Sequence, residues 1–174
     1  MRLQGKRVAI LIAEGFEDLE FWVTLMRLQE AGATTTVVGV RAGEKLHGKN
    51  GLEGASEVAA DAVKPGDFDA LVIPGGWAPD KLRRYDSIKK LVKGVYDQGK
   101  VVGIICHGGL VAISAGIIQK GGKVTGSLGI KDDLVYAGGV WADESAFRDG
   151  QLVWGRVVAD IPNFCRELVA AIEG

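Results

Sequence analysis

The run Val101-Val102-Gly103-Ile104-Ile105-Cys106-His107-Gly108-Gly109 decides the fold of this chain. Its first five residues are typical of a buried strand, and the glycines after His107 permit an abrupt turn into a helix. Such a turn lifts its central side chain clear of the sheet and aims it at the free N–H groups of the helix start. The positive end of the helix dipole favours a thiolate, so we expect Cys106 to be reactive and more acidic than a free cysteine.

Three similar apolar runs lie upstream, and helical patterns separate them. The four predicted strands cover residues 8–12, 34–40, 70–73 and 101–105. Helices are predicted over 18–31 and 86–98, ended by Gly32 and Gly99. The spacing in the first helix predicts a buried stripe of Leu19, Trp22, Leu25, Met26 and Leu28. Strands alternating with helices in this way indicate a parallel sheet covered on both faces.

The second half of the chain is predicted with less regularity. Residues 110–115 form an apolar and therefore buried helix ended by Gly116, and Pro162 lies in the first turn of a final helix. The glycine-rich stretch 121–154 is expected to form short strands and loops. The pattern as a whole predicts an α/β fold, a flavodoxin-like three-layer sandwich with a mostly parallel sheet and helices on both faces. The nucleophile elbow follows a central strand, and residues 1–174 form a single domain.

Composition excludes several classes of function. The chain has 174 residues, of which 47% are apolar and 25% charged, with a net charge of -1 and a pI near 6.1. No basic stripe marks a nucleic-acid or membrane partner, and no signal or transmembrane segment is visible, so a cytoplasmic protein is expected. Two cysteines and two histidines in no metal-ligand spacing predict neither a disulfide scaffold nor a metal site, and we expect no cofactor.

Three loops at the carboxyl ends of predicted strands carry residues suited to chemistry. They cover 13–18, 74–80 and the Cys106 turn, and they should meet at one edge of the sheet. Gly75 and Gly76 can leave their N–H groups free and, with the amides of His107 and Gly108, could form an oxyanion hole. An acid near Glu17 that reached the thiol would repel a thiolate unless the two groups shared one proton.

The order of these motifs resembles a known family. The resemblance is carried by Gly15-Phe16-Glu17-Asp18, Pro74-Gly75-Gly76 with Ala78-Pro79, Ile105-Cys106-His107-Gly108 with Ser114-Ala115-Gly116, Gly129-Ile130-Lys131-Asp132-Asp133, and residues 160–164. Nearly the whole chain is similar to the PfpI branch of the PfpI/ThiJ superfamily, whose members are intracellular cysteine-peptidase-like or deglycase-like proteins. Their fold is that of the class I glutamine amidotransferases.

The resemblance implies a role for each site residue. Cys106 matches the nucleophile, His107 its catalytic partner and Glu17 the acid that hydrogen-bonds the thiolate, while Gly75 and Gly76 match the backbone donors. Asp80 stands where a longer carboxylate in PfpI-like oligomers reaches across a subunit interface to orient the histidine. The chain is therefore expected to form a homodimer or larger homo-oligomer.

Simpler interpretations of the same residues remain open. His107 could only cap a helix, Glu17 could only stabilise a helix dipole, and Asp80 could be an N-cap. Cys165 is expected in the core.

Two functions fit these residues. The first is a cysteine-dependent stress-response enzyme that acts through a thiolate on reactive carbonyl adducts, as a deglycase or glyoxalase does, or on amide bonds, with a small carbonyl or peptide-like substrate. The alternative is a non-enzymatic sensor of oxidative stress or a chaperone that uses the oxidisable Cys106.

Overall fold

A computed structural model describes residues 1–174 and contains eleven strands and six α-helices. The strands are β1 (Arg7–Leu11), β2 (Thr34–Gly39), β3 (Lys45–His47), β4 (Glu53–Ala55), β5 (Val58–Ala59), β6 (Ala70–Ile73), β7 (Val101–Ile105), β8 (Lys123–Val124), β9 (Val140–Trp141), β10 (Ala146–Asp149) and β11 (Leu152–Gly155). The helices are α1 (Asp18–Glu30), α2 (Ala78–Leu82), α3 (Asp86–Asp97), α4 (Gly109–Ser114), α5 (Lys131–Tyr136) and α6 (Ile161–Glu173). No helix is long and apolar enough to cross a membrane.

The main sheet has seven strands in the order β10-β11-β7-β6-β1-β2-β5. Every pair is parallel except β10 with β11. The predicted α/β sandwich with a mostly parallel sheet and helices is confirmed. The four strands predicted from the sequence are β1, β2, β6 and β7, because β-branched residues that are buried on both faces favour central strands.

The helices pack on this sheet through one apolar core of 50 buried residues. Gly103 of β7 lies so close to α6 that a Cβ there would be 2.8 Å from Leu168 and 3.2 Å from Phe164. Gly32, Gly99 and Gly116 all have positive φ, as expected of residues that end helices. Cys165 is buried in α6, as predicted.

The predicted buried stripe of α1 is partly wrong. Leu19 and Met26 are 45% and 57% exposed, whereas Glu20, Thr24 and Leu28 are completely buried. Those three residues are spaced by four and form one row on a helix. Tertiary packing has therefore turned α1 so that a row beginning with a carboxylate faces the sheet.

The stretch 121–154 contains more regular structure than was expected. It includes α5, and β11 begins within it and pairs with the central strand β7, with Gly155 beside Ile105. The predicted apolar helix is α4, but Leu110 and Ile113 are only partly buried.

The neighbours β7, β6 and β1 bring three loops to one edge of the sheet. Their carboxyl ends lead into the Cys106 turn, the Gly75-Gly76 loop and the segment before α1. The β1 and β6 loops are joined by hydrogen bonds from Glu17 N to Gly75 O, at 3.0 Å, and from Trp77 N to Gly15 O, at 2.7 Å. The predicted meeting of the three loops is therefore observed.

Candidate active site

Cys106 occupies a strained turn between β7 and α4. Its φ of +57° makes it the only non-glycine residue with positive φ in the chain. Such a backbone costs free energy and persists only where the surroundings hold it, which is common at functional sites. Here β6 and β11 pair with β7 on either side, and Gly108 touches the end of β6 so closely that a Cβ would overlap the Ile73 carbonyl oxygen. The predicted elbow is present.

Glu20 is the carboxylate that faces this turn. It lies in the first turn of α1 with no exposed surface, and its Oε2 accepts a hydrogen bond from Gly75 N at 2.7 Å. Its Oε1 is buried without a nitrogen or oxygen donor. Burial raises the pKa of Glu20 to about 7, although the Gly75 hydrogen bond and the contact with the Cys106 thiol both favour the ionised form. This carboxyl can therefore gain or lose a proton near neutral pH.

Glu17, the predicted acid, does not contact the thiol. Its Oε2 caps α1 by accepting a hydrogen bond from Glu20 N at 2.8 Å, and its Oε1 lies 3.5 Å from Asn50 Nδ2. A side chain at the N-cap turns back on its own helix, whereas the residue three positions later points from the first turn toward the sheet. The interaction expected of Glu17 belongs to Glu20. The sequence signal that could have identified Glu20 is its spacing of four from Thr24 and of eight from Leu28, which places the three residues in one row of the helix.

The Cys106 thiol is half-buried and holds its proton tightly. Burial and the negative charge of Glu20 raise the pKa of Cys106 to about 12, against the opposing effect of a hydrogen bond from the His107 backbone N–H. The expectation of an unusually acidic thiol is wrong for this resting site, because desolvation and a neighbouring carboxylate outweigh the start of a short helix. Above about pH 7, where Glu20 has ionised and the thiol has not, the Glu20 and Cys106 pair holds a single proton, as expected of an acid that reaches the thiol.

His107 contacts the thiol directly. Its Nδ1 lies 3.3 Å from Cys106 Sγ. Burial, and to a smaller extent the charge of Lys49, lower the pKa of His107, so the ring is neutral at pH 7 and can accept a proton. Side chains of adjacent residues usually diverge. The contact between Cys106 and His107 occurs at a turn whose unusual local feature is the positive φ of Cys106.

The two glycines after β6 have different roles. The N–H of Gly75 is taken by Glu20, so it is not free to bind an oxyanion, contrary to expectation. Gly76 has a φ of +80°, and a Cβ there would overlap the Glu17 backbone nitrogen. Its N–H makes no hydrogen bond within the protein, and Gly76 lines the pocket beside His107. Gly76 is therefore the free backbone donor of the site, because the His107 N–H already donates to the Cys106 sulfur.

An open pocket of about 370 Å³ leads to these groups, and it is lined by Lys49, Gly76, Trp77, Asp80, Lys81, His107 and Leu110. Asp80 is exposed and forms an ion pair with Arg84 one helical turn away. No hydrogen bond joins Asp80 to His107 within the chain, and its reach across a subunit interface stays a prediction. No cluster of three or more His, Cys, Asp or Glu side chains is arranged to hold a metal ion.

Comparison with known proteins identifies the family. Residues 6–171 match the model of the DJ-1/PfpI family. The chain belongs to this family. A deglycase of Thermococcus kodakarensis is 40% identical over 94% of this chain and 97% of its own length. Deglycase PfpI of Pyrococcus furiosus is 35% identical over 96% of this chain and 99% of its own. A Bacillus subtilis protein, provisionally named a cysteine protease, is 35% identical over 94% of this chain and 96% of its own.

Solved structures of the family share the architecture. A two-domain Anabaena variabilis protein, with DJ-1/ThiJ/PfpI-like and ferritin-like domains, superposes with a TM-score of 0.92 at 36% identity. The match covers 95% of this chain but 47% of that one. A ThiJ/PfpI domain protein of Brachyspira murdochii, with a TM-score of 0.89 at 21% identity, covers 97% of this chain and 96% of its own, and shows the same fold. The predicted family and fold are thus confirmed.

Proposed function

We propose that this family member is a cysteine-dependent enzyme that acts on reactive carbonyl adducts. Several of its relatives are named deglycases, which supports this class of substrate. The observation that carries the proposal is the Cys106 turn. A thiol is held in a strained backbone beside the buried Glu20, and it contacts a neutral His107 that lines an open pocket. Nucleophile, base and oxyanion donor are thereby present within one site.

The proposed chemistry starts with loss of the thiol proton. Either Glu20, with its pKa of about 7, or the neutral His107 can take that proton when a substrate displaces water. The thiolate then attacks the electrophilic carbon, a C–S bond forms, and the C=O electron pair moves onto oxygen. The free Gly76 N–H would donate to that oxygen. For an amine adduct of a 2-oxoaldehyde, the C–N bond breaks as the carbinol oxygen forms the aldehyde C=O that the thiolate attacks, and the carbinol proton passes to the departing amine. After the thiolate has added, the base moves the C–H proton of that carbon to the neighbouring carbonyl carbon, which gives a thioester. Water hydrolyses the thioester to a 2-hydroxy acid and restores the thiol.

The high pKa of Cys106 favours an enzyme over the alternative of an oxidation sensor or chaperone. Peroxide reacts with the thiolate, and the resting site holds little thiolate at pH 7. A bound substrate can place its electrophilic carbon against the sulfur, so that the C–S bond forms as His107 or Glu20 takes the proton. A stress-response role in the cytoplasm and assembly into a homo-oligomer belong to the same proposal.

Turnover assays with methylglyoxal and with a chromogenic peptide test the proposal. The unmodified protein should convert methylglyoxal, or an amine adduct of it, and Cys106→Ala should abolish the conversion. Cys165→Ala is the matched control, because that thiol is buried in α6 away from the pocket, and it should retain activity. Turnover of the peptide alone would replace the deglycase with a peptidase. No turnover of either compound would reject the enzymatic function.

A further inference from the structure

The turn formed by residues 48–52 places a lysine over the candidate site. Lys49 donates its backbone N–H to Phe16 O at 2.9 Å, which joins the turn to the loop after β1. Its side chain lines the same pocket as His107 and Gly76. None of the ion pairs in the chain involves Lys49. Its positive charge nevertheless acts on Glu20, Cys106 and His107. Lys49 is therefore a cation at the site that forms no ion pair with a protein carboxylate.

A buried carboxylate holds this turn in place. Asp18 is almost completely buried, and it accepts hydrogen bonds from Asn50 N at 2.9 Å and Leu52 N at 2.8 Å. Gly48 packs so tightly against it that a Cβ would overlap the Asp18 carboxylate. Because the buried Asp18 side chain accepts hydrogen bonds from two backbone N–H groups of the turn, it fixes the backbone that carries Lys49. The lysine is thus presented from a rigid support.

The charges around the pocket favour an anion. Lys49 and Lys81 both line it, whereas the only carboxylate among the lining residues, Asp80, is paired with Arg84. The amine of Lys81 donates to the Glu14 carbonyl at 3.2 Å, which leaves its charge in place. With His107 neutral and the Gly76 N–H free, the pocket offers positive charge and a backbone donor to one small ligand.

We propose that Lys49 binds a carboxylate group adjoining the carbon that Cys106 attacks, so that the preferred substrates are carbonyl compounds bearing a carboxylate. This inference rests on the proposed function for its substrate. The anion preference itself does not, because it can be measured on the Cys106 thiol without turnover.

Alkylation of Cys106 by two reagents of similar size tests the anion preference. In each case sulfur displaces iodide and a C–S bond forms, but iodoacetate carries a carboxylate and iodoacetamide does not. We expect Lys49→Gln to lower the ratio of the iodoacetate to the iodoacetamide rate constant about tenfold, the loss expected of one charge-assisted contact. Lys49→Arg, which keeps the charge, should largely preserve the ratio. Lys45→Gln removes an exposed lysine on β3, the strand before the 48–52 turn, and should leave the ratio unchanged. Peptide mapping would assign the label to Cys106 rather than Cys165.

An unchanged ratio in Lys49→Gln, or an equal fall in both rate constants, would overturn the inference. A second arm compares kcat/KM for glyoxylate, which carries a carboxylate, with that for neutral methylglyoxal. Lys49→Gln should lower the glyoxylate value selectively, and a parallel loss on both compounds would contradict the role. If the unmodified protein converts neither, the proposed function fails, and the alkylation ratio alone decides the anion preference.

Discussion

Replacing Glu20 with glutamine should make the protein more stable at alkaline pH and inactive. Glutamine keeps the shape of the side chain and can still accept the Gly75 N–H hydrogen bond, but it cannot ionise or carry the shared proton. Because Glu20 is completely buried, the change acts on one desolvated group with few partners.

The magnitude follows from the pKa of Glu20. Burial raises it from 4.5 to about 7, so the folded protein binds this proton more tightly than the unfolded chain does. As pH rises from about 4.5 through about 7, the unfolded chain releases the proton first, and the free energy of unfolding falls. The full change is about 3 to 4 kcal/mol, since one pKa unit corresponds to about 1.4 kcal/mol and the pKa rises by about 2.5. Glu20→Gln removes this loss.

Urea unfolding near pH 5 and near pH 8 measures the effect. The unmodified protein should lose most of that free energy between the two conditions, and the Glu20→Gln curve should be flatter by the same amount. Glu17→Gln weakens the cap of α1 and removes a charge that helps to raise the Glu20 pKa, so it should lose stability at both pH values and flatten the curve less than Glu20→Gln does. Equal slopes for Glu20→Gln and the unmodified protein would refute the assignment of a buried, titrating carboxyl to Glu20.

The same variant tests the shared proton in catalysis. The kcat/KM of the unmodified protein should rise as pH passes through about 7, where Glu20 loses the second proton of the pair. Glu20→Gln should lower kcat/KM by about a hundredfold or more and abolish that rise. Full activity in this variant would exclude Glu20 from the chemistry.

Three other predictions concern two supports of the site and the oligomeric state. Gly76→Ala should destabilise the fold by more than about 2 kcal/mol in urea unfolding, because the strain of a positive φ and the clash of a Cβ with Glu17 add. Gly43→Ala, which has a positive φ but open space around it, should cost about 1 kcal/mol. Equal costs for the two variants would contradict the close approach of Gly76 to the Glu17 backbone. Asp18→Ala should lower the free energy of unfolding by about 2 to 3 kcal/mol and should also lower the preference of Cys106 for iodoacetate over iodoacetamide. A stable variant with an unchanged preference would show that the 48–52 turn does not depend on Asp18. Light scattering should give a mass of twice 18.4 kDa or a larger whole multiple, and a mass of 18.4 kDa would rule out an interface role for Asp80.

The central strands and the elbow could be predicted because they depend on local patterns. Continuous β-branched runs that are bounded by glycines have few alternatives to a buried parallel strand, and β1, β2, β6 and β7 appear where they were expected. The short strand β11 falls mostly in the stretch where short strands were expected. Its bounds and its place beside β7 were not predicted, because four residues carry little periodicity and the pairing is with a strand distant in sequence.

The candidate nucleophile Cys106, the adjacent His107 and the glycine loop could be predicted from the sequence, since a thiol between an apolar strand and a Gly-Gly turn is a local pattern. The choice between Glu17 and Glu20 needed the tertiary structure. Two acids three residues apart look alike in sequence, and only the rotation of α1 against β6 buries one of them beside Cys106. Burial, a property of the folded chain, also raised the thiol pKa that local reasoning predicted to fall. Lys49 joins the site for the same reason, because Asp18 folds a distant turn back over the pocket.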